Sequence, residues 1–154
     1  MRKHFLTSIA VFFMMHSLSF AGNTPEMGQD LMQLQAKIAT SKKNLLHMSP
    51  LIPSIEEREA LLQILSEVTE MQDQMDFVTE EMSLWGNMVN DTDRQTIRQT
   101  LILRRMLVLN IFKEDIGALN GGMTDLKTAA AILEVQRIRD YLIEEKEKVQ
   151  SWIP

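Results

Sequence analysis

The sequence predicts an all-α protein: an elongated antiparallel four-helix bundle with coiled-coil-like packing, preceded by a cleavable signal peptide. Three observations carry that reading. Between Leu61 and Val89 the apolar residues step by three and four without a miss, through Ile64, Val68, Met71, Met75, Val78, Met82 and Trp85. That is the period which holds one seam of a helix against a partner. The remaining apolar runs also have helical spacing, and no stretch shows the β-branched alternation of a strand. The connectors between runs are only a few residues long, which favours antiparallel neighbours.

The N-terminus stands apart from the fold. Arg2, Lys3 and His4 form a basic start, Phe5 to Phe20 is mostly apolar, and Ser19-Phe20-Ala21 offers small residues to a signal peptidase. We therefore expect residues 1–21 to be removed and residues 22–154 to form a single helical domain. The apolar run is short for the roughly 20 residues of a bilayer span. The chain has no cysteine, which removes disulfides and a lipoprotein acyl anchor and suits bacterial, periplasmic export better than eukaryotic secretion. The sequon Asn90-Asp91-Thr92 is then expected to be idle. The whole chain has 16 Lys+Arg and 21 Asp+Glu, a net charge of -5; residues 1–21 hold two of the bases and no acid, so the remainder stands near -7. Such a chain is a poor match for nucleic acid or anionic lipid.

The first helix, about 25–48, opens at Thr24-Pro25-Glu26 with a hydroxyl cap, a proline in the first turn and an acid. Met27, Leu31, Leu34, Ile38, Leu45 and Met48 form its buried stripe, with Ser41 the polar interruption, and Ser49-Pro50 ends it. Ser54-Ile55-Glu56-Glu57 reads as a capping box for the second helix, about 55–89. Asn90-Asp91-Thr92-Asp93 closes that helix and caps the third, about 93–119. The middle of the third, Leu101 to Phe112, carries only Arg104, Arg105 and Asn110 as polar residues, and is expected to be buried on most sides. Adjacent residues lie about 100° apart on a helix, so at most one arginine faces inward, and it needs a carboxylate from the second helix. Asn120-Gly121-Gly122 is read as the stop and Thr124-Asp125 as the cap of a fourth helix, about 125–152. There Ala131, Val135, Ile138, Leu142, Val149 and Trp152 repeat the heptad and Glu145 breaks it. The run Glu144-Glu145-Lys146-Glu147-Lys148 is read as a solvated face of close charge pairs.

The chemistry is defined mainly by what is missing. There is no thiolate, no Cys-zinc site and no c-type haem attachment; beyond the leader the one histidine is His47. A di-iron bundle needs a Glu-x-x-His pair on each of two helices, which one histidine cannot supply. The zinc-protease helix, the phosphate-binding glycine loop and the serine elbow are also missing, so no enzyme and no cofactor is expected. Nine of the 12 methionines lie beyond Ala21. Met71, Met75 and Met82 share one seam and thioethers bind Cu(I), but a flexible core filler is the simpler reading of all three.

Phe77, Leu84 and Met88 lie off the seam on one flank of the second helix, with Leu62 and Leu65 on the other. They read either as the widened stripe of a helix with two neighbours or as a strip left open for a partner. The partner-binding candidates are accordingly Phe77, Leu84 and Met88, with Trp85 and Trp152 as candidate aromatic anchors. In architecture the pattern resembles periplasmic helical subunits of type IV secretion and conjugation machines. It also resembles small helical periplasmic chaperones, although the Leu-Thr-x-x-Gln motif of the known ones is absent. The expected function is that of an exported, periplasmic protein-interaction protein, a subunit of an envelope or secretion assembly. The alternatives are a chaperone-like binder of apolar segments and a haem- or copper-binding carrier using His47 and the seam methionines. The expected partner is another protein, with self-association into a homo-oligomer open to the same faces.

Overall fold

The computed structural model describes residues 23–85 and 90–153, apart from the side chains of Asn23, Pro25 and Trp85. The leader, the rest of the second helix's predicted C-terminus including Met88 and Val89, and Pro154 lie outside the described residues. Among the described residues there are four helices, α1 (Asn23–Met48), α2 (Ile55–Trp85), α3 (Asp91–Met123) and α4 (Ala129–Ser151), with a short 3-10 turn, Ser49–Leu51, after α1. Among the described residues there is no strand. No helix among the described residues is long and apolar enough to cross a membrane.

Each helix packs on two others in a ring: α1 on α2, α2 on α3, α3 on α4 and α4 on α1. Side-chain contacts give the directions. Gln35 donates to Asp76 and Lys42 to Gln72, so α2 descends as α1 rises. Arg104 meets Glu81 while Gly122 lies against Ile64, and Arg105 reaches Val149 while Arg139 reaches Asn120. Lys37 sits over the Tyr141 ring on the remaining pair. At 31 and 33 residues, α2 and α3 are each about 46–50 Å long.

The core is the set of seams read from the periodicity. From Leu61 to Met82 every seam residue of α2 is buried, as are Met27, Leu31, Leu34, Ile38, Ser41 and Leu45 on α1. On α4, Ala131, Val135, Ile138, Leu142 and Val149 are buried, as is Trp152 just past its end, and Leu101, Val108, Ile111, Phe112 and Leu119 complete the core from α3. Helices this regular gain little from propensity alone, and burial of these stripes holds them together.

Several local expectations are corrected. The helix begins at Asn23 rather than behind a Thr24 cap, and Thr24 is buried with its hydroxyl lacking a described partner. Ser54 forms half of the capping box, accepting from the Glu57 amide at 3.2 Å. The Glu57 carboxylate does not turn back to Ser54. It accepts instead from the amides of Lys127 and Thr128 at 2.9 and 2.6 Å, at the start of α4. Thr128 makes no side-chain cap of its own, and the Glu57 carboxylate of α2 instead pins the two amides just before α4, near its positive end. Those amide donors hold the Glu57 carboxyl below the ordinary glutamate range.

Gly121 and Gly122 do not stop α3, which runs on to Met123 with no positive φ among its glycines. Gly122 serves packing: a Cβ there would lie 2.7 Å from Cγ1 and 2.9 Å from Cδ1 of Ile64. The turn comes at Thr124, whose amide and hydroxyl both donate to the Gly121 carbonyl. Consequently α4 starts at Ala129, not Asp125. The charge run near the end of α4 is not wholly solvated either. Glu145 is buried, its carboxyl raised by that burial, and it relies on Lys148 at 3.0 Å.

Candidate interaction surface

The Leu101–Phe112 stretch, expected to be buried on most sides, gives the largest correction. In a four-membered ring each helix has two neighbours and one face outward. On α3 that outward face carries Ile102, Leu103, Met106 and Leu107, which are 42–68% exposed. They follow the i, i+1, i+4, i+5 spacing of one helix face.

The neighbouring edge of α2 extends this face. Phe77 is 52% and Leu84 44% exposed, and they sit seven residues apart on the side turned to α3. Phe77 and Leu107, with Gln74, Asn110, Ile111 and Glu114, line a shallow open groove of about 530 Å³ between the two helices. Arg104 lies in the same seam. Its Nε donates to Glu81 at 2.9 Å and its guanidinium stacks over the Phe77 ring, 4.7 Å from the centroid. The carboxylate expected from the second helix is therefore Glu81. Arg105 turns the other way and donates to the carbonyls of Val149 and Gln150, capping the C-terminus of α4.

Toward the far end the groove changes character. Glu67, Glu70, Glu114 and Asp115 surround a smaller cavity of about 160 Å³ with Met71, Gln74 and Ile111. Burial, then the charges of Glu67, Glu114 and Glu70, pushes the Asp115 carboxyl up to about 6, and one of its oxygens has no partner among the described residues. The charged residues lining this cavity are all acids.

The other sequence candidates are distributed differently. Trp152, expected as an aromatic anchor, is only 3% exposed and belongs to the core. Trp85 ends α2, its side chain outside the described set, and Met88 lies outside it altogether. Leu62 is exposed while Leu65 is buried, so only half of that flank faces water. His47 is exposed whereas Met71, Met75 and Met82 are buried in the α2 seam. Among the described residues no three His, Cys, Asp or Glu side chains are grouped to hold a metal ion. Sequence reasoning missed the four α3 residues because it assigned their whole stretch to the interior. The available signal was that the stretch has apolar residues on every side, more than two neighbours can cover.

Comparison with protein-family models, curated proteins and solved structures yields no match, so the functional reading rests on these residues alone.

Proposed function

We propose that this chain is an exported, periplasmic protein-interaction protein, matured by removal of residues 1–21, whose working surface is the apolar face shared by α2 and α3. A subunit of an envelope or secretion assembly is the role that best suits a helical bundle with coiled-coil-like seams and an apolar outer face. One observation supports this above the others: six large apolar side chains, Phe77, Leu84, Ile102, Leu103, Met106 and Leu107, lie together outside a core that is complete without them. A single exposed leucine needs no explanation, but a continuous patch on a folded monomer marks a contact site.

The test uses a photo-reactive amino acid at position 103 or 107 of the full chain in its native host, with position 32 on α1 as control. Adducts to protein from 103 and 107 but not from 32 are expected. Adducts from 32 alone, or none from 103 and 107, would overturn the assignment of the face. Mass analysis of the recovered protein should show a chain beginning at Gly22, and an intact N-terminus would overturn the export reading.

A further inference from the structure

The α3 face has an internal symmetry that names its occupant. Its apolar residues, Ile102, Leu103, Met106 and Leu107, are centred between Arg104 and Arg105. Gln99 and Asn110, both exposed, stand at equal distances on either side of that centre. One turn further out, Gln95 and Thr96 at one end correspond to Lys113 and Glu114 at the other, all exposed. The face is thus nearly palindromic, in size and in polarity, about a line crossing the helix.

We propose that the occupant is a second copy of this chain, docked antiparallel along α3 about a two-fold axis at that centre; this rests on the reading of the α2–α3 face as the working surface. A two-fold contact uses the same patch on both subunits, so residue i of one meets residue j of the other and the reverse. Here Ile102 and Leu103 of one copy lie against Met106 and Leu107 of the other. Gln99 meets Asn110, two amides that can each donate and accept. Lys113 and Glu114 face Gln95 and Thr96, so no like charges confront each other.

Charge argues the same way. Although the chain is acidic overall, the face is close to neutral: Arg104 is matched by Glu81, and Lys113 adjoins Glu114. A strongly basic partner would find its complement at the Glu67–Asp115 end of the groove instead. The apolar area supplies most of what a pairing needs. The exposed parts of the six apolar side chains amount to roughly 500 Å² per copy, near the upper end for a monomer's largest patch. A standard interface takes about 800 Å² per copy, so a stable pairing also draws on the polar margin, Gln95, Gln99, Asn110 and Lys113.

The chain has no cysteine, so introduced thiols report cleanly. In protein produced from the full sequence, Gln99→Cys mixed with Asn110→Cys should be joined by a short bismaleimide with a reach of about 8–10 Å, the spacing of packed helix axes. Neither variant alone should couple, because like positions would stand about 16 Å apart. Sedimentation equilibrium should show a dimer at micromolar concentration, weakened more than about tenfold by Leu103→Glu, which buries a charge at the contact. Helical circular dichroism of that variant should be unchanged, since Leu103 is 68% exposed. A monomer at every concentration would overturn the two-fold pairing while leaving the photo-crosslinking result at 103 and 107 to decide the face itself. A dimer insensitive to Leu103→Glu, or self-coupling of Gln99→Cys, would also overturn it.

Discussion

Gly122 allows the sharpest test of the packing argument, because the three glycines on α3 differ sharply in the space around an added Cβ. An added Cβ meets nothing within 4 Å at Gly117 or Gly121, whereas at Gly122 it falls 2.7 Å from Ile64 Cγ1. In a helix interior, alanine for glycine is worth up to about 1 kcal/mol through propensity. Gly117→Ala should therefore raise stability by about 0.5–1 kcal/mol, and Gly121→Ala by somewhat less in the last turn. At Gly122 the same gain meets a clash that Ile64 cannot relieve easily. Its Cγ1 moves only with χ1, which a β-branched residue in a helix holds in one well, and the side chain is fully buried. Overpacking of this kind costs about 1–3 kcal/mol, so the net effect should be a loss of about 1–2 kcal/mol.

Thermal and urea unfolding followed by circular dichroism would resolve the three variants, since 1 kcal/mol moves Tm by about 3–5 °C in a domain of this size. The decisive comparison is a double-mutant cycle. Ile64→Ala removes both atoms that the new methyl would strike and leaves a cavity of its own, costing about 2–5 kcal/mol. In that background Gly122→Ala should become neutral or stabilising, a reversal of sign. If Gly122→Ala raises Tm as Gly117→Ala does, or still destabilises when combined with Ile64→Ala, the close approach of α3 to α2 is not what fixes glycine there.

Three further outcomes follow from the charged groups. Asp115 has a carboxyl raised to about 6 from an ordinary value near 3.8, so the folded state binds its proton more tightly and stability falls as pH rises from 4 to 6. Asp115→Asn should raise stability at pH 7–8 by about 1 kcal/mol, given partial exposure, and flatten that slope in pH-dependent urea melts. Glu57 behaves in the opposite sense: its carboxyl is lowered, so its contribution is present above the ordinary glutamate value and is lost as pH falls through the folded one. Glu57→Gln should lower Tm at pH 7 and show a smaller difference from the parent chain at pH 3. Glu145→Met should hold or raise Tm and Lys148→Ala lower it, because the first removes a buried charge and the second leaves it unpaired.

The seams were legible in the sequence because periodicity is a local property, visible within a window of one helix. Burial of Val68, Met75 and Met82 needs no knowledge of the partner, only that a ridge so regular must be covered. The misread residues depend on contacts remote in the chain. Glu57 looks like the return arm of a capping box until Lys127 and Thr128, some 70 positions on, present bare amides to it. Gly122 carries the signature of a helix stop, and only the position of Ile64 shows that the missing side chain, not the backbone angle, is what matters. The α3 stretch failed for another reason: hydrophobicity reports how much of a helix avoids water, not which partner provides the shelter.

That last failure bears on function. Leu101, Val108, Ile111, Phe112 and Leu119 supply the buried α3 share of the core, whereas Ile102, Leu103, Met106 and Leu107 stand 42–68% exposed beside it. Lysine or glutamine at those four positions would fold as well and be more soluble. The only two charges between Leu101 and Phe112 are both turned off the outward face, Arg104 toward Glu81 and Phe77 on α2 and Arg105 toward the last carbonyls of α4. Each has a partner at the side of the helix, and neither leaves a charge at the middle of the exposed surface. The result is an uncharged apolar centre with amides and charges only at its ends, the composition of an interface core.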